Sequence, residues 1–255
     1  MLANLLREAH LHTGCDLDPN GESLLFLQWN EWLLKQAGCR WDNRTNWKTW
    51  IKPLHDKTAQ QLRLILETNH ARKAYWGKRI WPPCFDAKTP PWGWKDPRNT
   101  FTFPTWHKVF PHARMIIITR HGVDVAQSLT TRAHNELHNW RATRNPPPDR
   151  LITGSARCLT LEGAFDIWEE YQTSIQELRK SYPTETLLIQ YEDLVANSDA
   201  FMTEVYAFCN LTPPINPKIQ QSMHTHRIHA YRHSPELIAF AKTHSHRLQP
   251  FGYEP

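Results

Sequence analysis

An arginine and a hydroxyl set around one strand end are the first residues in this sequence with chemistry to offer. Arg120 directly follows the run Met115-Ile116-Ile117-Ile118-Thr119, and Ser128 comes a turn and about two helical turns later. A guanidinium fork and a hydroxyl at that separation can both face one anion. The run from Met115 to Ile118 is unbroken apolar and bounded by charge, which predicts a strand buried on both faces of a parallel sheet. Thr119-Arg120-His121-Gly122 reads as the turn at its tip. Val123, Val125, Ala126 and Leu129 then recur at helical spacing. Asp124 falls in the first turn of that helix, where a carboxylate suits the dipole. Strand, basic tip and helix is the α/β order that binds ligands beyond the carboxyl ends of strands. Read without its neighbours, the stretch is equally a buried strand with a surface arginine.

The neighbours add more. Upstream stands Trp92-Gly93-Trp94-Lys95-Asp96-Pro97-Arg98, with Phe110-Pro111 just before the central strand. Downstream stands Leu187-Leu188-Ile189-Gln190-Tyr191-Glu192-Asp193-Leu194. In this order the set resembles the sulfotransferase family, whose members transfer a sulfuryl group from 3′-phosphoadenosine 5′-phosphosulfate (PAPS). The likeness runs from Leu2 to about Leu211. It implies a P-loop nucleotide-hydrolase-like α/β fold: a three-layer parallel sheet flanked by helices, in a single domain over residues 1–255. A Trp-rich helical insertion is expected at about residues 20–80.

The resemblance also implies roles. Arg120 and Ser128 match the family's pair for the 3′-phosphate of PAPS. Lys95, at the end of the Trp92–Asp96 strand, matches the cation at the transferred group. The proton acceptor is less direct. Cytosolic members place a histidine two residues after that lysine, and here the position is Pro97. The tyrosyl-protein and heparan branches take a glutamate after the first helix, which Glu22 in Asn20-Gly21-Glu22-Ser23 resembles. The plain alternative is that Glu22 only stabilises the positive first turn of its helix. Asp96 is the reserve candidate, or serves to orient Lys95 or Arg98, and Arg98 in turn fixes the Lys95 loop or pairs with a substrate anion. From the basic C-terminal run, Arg232 or Arg227 is the candidate for the 3′-phosphate. Glu192 and Asp193 match strand-end residues with structural hydrogen bonds. One departure concerns the family's loop Pro-Arg-Ser-Gly-Thr-Ser/Thr, which precedes the first helix and holds the 5′-phosphosulfate. Met1 stands about where that loop would end, so the expectation is a start codon read too late or a truncated fragment, with real loss of the loop as the alternative. A sheet lacking that strand is expected to expose an edge and to aggregate.

Composition sets wider bounds. The formal charge is +5 with a pI near 9.0, which suits an anionic ligand, but no clustered Lys/Arg stripe points to nucleic acid. The five cysteines are widely spaced and form no CxxC pair, so neither a zinc site nor a disulfide framework is expected. The histidines of residues 224–233 lack carboxylates or cysteines at ligand spacing, and no metal is expected there. With no apolar run approaching membrane length and no signal peptide, a cytoplasmic enzyme without a transmembrane segment is expected.

The elements that must position these residues follow from periodicity. Helices are expected over Leu2–His10, Glu22–Ala37 with Gly38 past its end, Asp56–Tyr75 with Asp56 as cap, Thr102–Val109, Asp124–Arg132, Ser155–Lys180 and Asp199–Asn210. Strands are expected at Trp92–Asp96, Met115–Ile118 and Thr186–Tyr191. Pro82-Pro83, Pro90-Pro91 and Asn145–Pro148 mark loops, and an irregular His/Arg-rich loop is expected after Arg132. Trp41, Trp47, Trp50, Trp76 and Trp81 lie in polar segments and fit either a packed core or a cleft for a sugar or aromatic acceptor. The leading reading is sulfuryl transfer from PAPS to a hydroxyl or amine of a carbohydrate, lipid or small molecule. An inactive sulfotransferase-like scaffold lacking the 5′-phosphosulfate loop is the alternative, with a Trp-rich carbohydrate-binding module as a third.

Overall fold

The computed structural model describes residues 2–50, 52–77, 85, 90–142, 154–215 and 227–255. Trp81, Pro82-Pro83, Cys84, Asn145–Pro148 and His224 lie outside these residues, as does the side chain of Trp50. The elements are α1 (Leu2–Glu8), α2 (Leu24–Gln36), α3 (Trp47–Trp50), α4 (His55–Leu66), α5 (Asn69–Trp76), α6 (Asn99–Val109), β1 (Met115–Thr119) and α7 (Gly122–Ala142). There follow α8 (Leu161–Ser181), β2 (Thr186–Gln190), α9 (Tyr191–Ala196), α10 (Ser198–Cys209), α11 (Pro235–Thr243) and α12 (Ser245–Leu248). They form two compact units. The first comprises Met1–Ile117, Leu178–Ile189 and Asp193–Met223, and the second Ile118–Glu177, Gln190–Glu192 and His224–Pro255.

In the first unit, the apolar face of α1 works as its spacing predicts. Leu5, Leu6 and Ala9 are buried against Ile189 of β2, Leu194 of α9, and Met202, Val205 and Tyr206 of α10. Each Leu, Ile, Val or Met among them contributes about 1.5–3 kcal/mol on leaving water. A second, aromatic cluster gathers Phe26, Tyr75, Trp92, Trp94 and Trp106. Trp47 and Trp76 are buried, so these two belong to packing rather than to a cleft. Helix α2 ends as expected: Gly38 takes a φ of 64°, and its amide donates to the Lys35 carbonyl. The second unit packs Val123 and Ala126 of α7 on Ala164, Phe165 and Trp168 of α8, with Leu237, Ala241 and Leu248 behind them.

Several elements depart from expectation for physical reasons. Among the described residues the parallel sheet has two strands, β1 and β2. Ile117 and Thr119 are buried, whereas on the other face Ile116 is partly buried against the Leu5–Val205 cluster and Ile118 stands 38% exposed, so the second face of β1 is covered only in part. The expected strand at Trp92–Asp96 reduces to one parallel bridge between His12 and Trp92. The bridge consists of two backbone bonds, from the His12 amide to the Pro91 carbonyl and from the Gly93 amide to the His12 carbonyl, and Pro91 and Pro97 bound the segment without amide hydrogens of their own. Helix α4 starts at His55, which puts Asp56 inside its first turn rather than at the cap. It breaks at Glu67, and Thr68 caps α5 by accepting from the Ala71 amide. Helix α7 continues to Ala142 through the segment expected to be irregular, since no Gly or Pro interrupts it there. Ahead of α8, the Ala156–Leu159 turn is a separate 3₁₀ helix.

Candidate functional site

In the first unit, a tight turn sets up the acidic candidate. Asp18 Oδ1 accepts from the amides of Asn20, at 2.9 Å, and Glu22, at 2.7 Å. Gly21 turns the chain with a φ of 76°, in the left-handed region that glycine adopts without strain. Glu22 leaves this turn one residue before Ser23, which stands at the start of α2. Phe26 and Asn30, four residues apart on α2, share a face, and Glu22 stands just ahead of that helix. That face meets the Trp92–Asn99 segment. The Phe26 ring stacks on Trp94 at 3.9 Å between ring centres and 6° between planes. Trp94 Nε1 in turn donates to Asn99 Oδ1 at 2.9 Å. With Trp94 so fixed, its neighbour Lys95 reaches the turn. Lys95 Nζ donates to the Asn20 carbonyl at 2.9 Å and lies 3.4 Å from Glu22 Oε1.

Asn30 is fully buried, and its amide uses its hydrogen-bonding capacity on four partners. Nδ2 donates to Asp96 Oδ2 and to Asn99 Oδ1, both at 2.9 Å. Oδ1 accepts from Thr102 Oγ1 and Trp106 Nε1, both at 2.7 Å. Asp96, thus anchored, accepts on its other oxygen from the Arg98 amide at 2.8 Å and from Arg98 Nη1 at 3.0 Å. Arg98 also reaches Glu22 Oε2 and Glu31 Oε1, each at 3.4 Å. Three carboxylates therefore share two cations, Lys95 and Arg98. Burial pushes the Glu22 carboxyl above its ordinary pKa, and the Asp96 and Asp18 charges add to this while Lys95 and Arg98 oppose it. Burial likewise raises Asp96, against the pull of Arg98 and Asn30. A half-exposed cation beside a buried carboxyl of raised pKa can meet an anionic group and take up a proton.

The second unit builds the strand tip. Gly122 admits no side chain, because a Cβ there would lie 2.7 Å from Phe165 and 2.8 Å from Trp168. Trp168 Nε1 donates to the Arg120 carbonyl at 3.0 Å. Glu192 accepts from the His121 amide at 2.9 Å, a structural bond at the strand end. The His121 ring is fully buried and stacks on Tyr231 at 4.2 Å. Its Nδ1 accepts from the Val123 amide and its Nε2 contacts the Glu254 carbonyl at 2.9 Å, which fixes the neutral tautomer with hydrogen on Nε2. Burial lowers its pKa, against the opposing pull of that carbonyl and Asp124.

Arg120 points its Nη2 at Asp124 Oδ2, 2.8 Å away, and donates to the Arg227 carbonyl. Asp124 is buried and accepts the Tyr231 amide on its other oxygen at 2.8 Å. Arg120 Nε is buried without a partner. Ser128 is exposed on α7, one helical turn beyond Asp124. Of the two C-terminal candidates, Arg227 reaches Arg120, and it does so by its backbone. Arg232 is exposed and turns to Tyr231, whose hydroxyl accepts from its Nε at 3.2 Å.

The structure thus gathers Glu22, Lys95, Asp96 and Arg98 in one unit, and Arg120 and Ser128 on consecutive elements of the other. Sequence reasoning missed Asn30, Glu31 and the Asp124–Tyr231 bond. The available signal for Asn30 was a polar residue at helical spacing from Phe26 on an otherwise apolar face. A family model described as "Sulfotransferase family" matches residues 15–214, well over half of the chain. No curated protein matches it.

Proposed function

The chain belongs to the sulfotransferase family, and from that premise we propose that it transfers a sulfuryl group from PAPS to a hydroxyl or amine of a carbohydrate, lipid or small molecule. The observation that carries this reading is the juxtaposition of Lys95 Nζ and the raised-pKa carboxyl of Glu22, 3.4 Å apart beside the anchored Asp96. Transfer is an in-line displacement at a charged centre. The acceptor oxygen or nitrogen forms its bond to sulfur as the bond from sulfur to the phosphate oxygen breaks. The electron pair leaves with 3′-phosphoadenosine 5′-phosphate, and the acceptor proton goes to Glu22. Lys95 supplies positive charge where that oxygen becomes anionic. For this it must part from Glu22, which the length of their contact favours. Asp96 holds Arg98 by two hydrogen bonds and so acts on the site's geometry rather than as base. Arg120 and Ser128, with Arg232 further along, are the groups for the 3′-phosphate. The orphaned Nε of Arg120 supports that assignment. The alternative scaffold reading draws on Arg120 being engaged already by Asp124 and the Arg227 carbonyl.

No described helix is long and apolar enough to cross a membrane. With Cys15, Cys39 and Cys209 present as thiols, we propose a reducing cytoplasm as the compartment. The reading is tested by calorimetric titration of 3′-phosphoadenosine 5′-phosphate into the chain, with 5′-AMP as control. The expected result is tighter binding of the 3′-phosphorylated nucleotide by at least about tenfold, the value of a charge-assisted contact. Equal affinity would remove the 3′-phosphate assignment. Nucleotide binding without turnover of PAPS across glycan, lipid and phenol acceptors would favour the scaffold.

A further inference from the structure

The cluster around Glu22 contains one group to which sulfuryl transfer gives no task. Arg98 lies between three carboxylates with its side chain 15% exposed, so an incoming anion would have to displace partners it already holds. Those partners differ in kind. Asp96 cannot move, because Asn30 grips one oxygen and the Arg98 amide grips the other. Asn30 itself is immobilised from four sides at the centre of α2 and α6. Glu22 stands at the far end of this relay, with one oxygen toward Arg98 and the other toward Lys95.

We infer that Arg98 is a positioning residue for Glu22: pinned through Asp96 to the buried amide of Asn30, it fixes one carboxylate oxygen of Glu22 and leaves the other free to face Lys95 and the acceptor. The inference rests on the reading of Glu22 as the group that takes the acceptor proton. A guanidinium suits the task because its planar fork serves two carboxylates at once, where an ammonium is a single point of charge. The arrangement carries a cost. Arg98 Nε is buried without a partner, so the guanidinium is oriented for Asp96 and Glu22 rather than for its own saturation. The charged groups facing Glu22 are Asp18, Asp96, Lys95 and Arg98, and Glu31 acts on it only by drawing Arg98 away.

The test follows the Glu22 carboxyl directly and needs no acceptor. In the full chain with ¹³C-labelled glutamate, the Glu22 carboxyl carbon is assigned with Glu22→Gln and titrated in wild type, Arg98→Lys and Glu31→Gln. In Arg98→Lys the single ammonium stays with the closer, more buried Asp96. Glu22 loses a cation and its midpoint moves up. In Glu31→Gln, Arg98 is released from its outer carboxylate and leans on Glu22, whose midpoint moves down. Opposite shifts, with affinity for 3′-phosphoadenosine 5′-phosphate changed by less than about twofold, are the expected result. If Arg98→Lys does not fold, Glu31→Gln decides alone, since Glu31 is half-exposed and dispensable to packing. An unmoved midpoint in folded protein that binds the nucleotide overturns the positioning role and spares the transfer reading. Wild-type protein that does not prefer the 3′-phosphorylated nucleotide overturns the transfer reading and this role with it.

Discussion

Two arginines in this molecule each serve three carboxylates, and they do so differently. Arg247, on α12, meets Glu162, Asp166 and Glu169 at 2.6 to 2.9 Å and lies over the Phe165 ring at 4.7 Å. All three acids stand on one face of α8, at helical spacing, so a single rigid element presents them together. Arg98 meets Asp96 at 3.0 Å but Glu22 and Glu31 only at 3.4 Å, and its acids come from separate segments. The short set is a clasp, satisfied and closed to further chemistry. The long set is held open, with Glu22 close enough to be oriented and loose enough to exchange partners. The two ion clusters thus differ in slack rather than in composition.

The sharpest way to break that distinction is to neutralise the slack member. Glu22→Gln should lower sulfuryl transfer by about 10²–10⁴-fold, the range for loss of a general base, with nucleotide affinity retained. The same change should raise the melting temperature at neutral pH. Because the folded-state pKa of Glu22 is raised, its contribution to stability is present at low pH and is lost as pH rises through the folded value. The gain from Glu22→Gln should therefore vanish below the ordinary carboxylate value of 4.5. Activity falling less than about tenfold would remove Glu22 as base.

Next in size is the anchor behind the loose cluster. Asn30→Ala leaves Asp96, Thr102 and Trp106 each short of a buried partner and should cost about 3–5 kcal/mol in denaturant unfolding. A cost under 1 kcal/mol, on the scale of an exposed pair, would show that the relay is slack throughout. The smallest effect belongs to the clasp. Arg247→Ala should cost only about 1–2 kcal/mol, since its acids are one-third to one-half exposed and water takes up their charge. Nucleotide binding should be unaffected. Nucleotide affinity falling with Arg247→Ala would dissolve the contrast between clasp and site.

What the sequence discloses and what it withholds divides along the same line. The central strand, the helix after it and the apolar face of α1 are legible because each depends on the spacing of near neighbours. So is the grouping of Lys95, Asp96 and Arg98, which are nearly adjacent. The Glu22–Arg98 contact joins residues 76 apart, and Arg247 reaches acids 78 to 85 residues away. No local period encodes such pairs. Asn30 shows the limit most clearly: on a helix of Leu, Phe and Trp it reads as a lapse in the pattern, and only the segment packed against it reveals four satisfied hydrogen bonds. The Trp92–Asp96 stretch errs the other way. Its residue types suit a strand, but its pairing is limited to the bridge between His12 and Trp92, and no residue type announces that.

The bonds that Tyr253 and Glu254 make to the strand tip bear on the order in which the molecule is completed. Tyr253 donates to Thr119 and the Glu254 carbonyl meets His121, across sequence separations of 134 and 133 residues. A ribosome adding about 5–20 residues per second needs on the order of ten seconds to cover that distance. Throughout that interval β1 and the start of α7 exist in a nascent chain whose Thr119 and His121 lack their final partners. The turn that carries Arg120 is consequently among the last parts to mature. A chain released before residue 253 would carry the Lys95–Glu22 contact, while the turn that bears Arg120 would still lack two of its bonds.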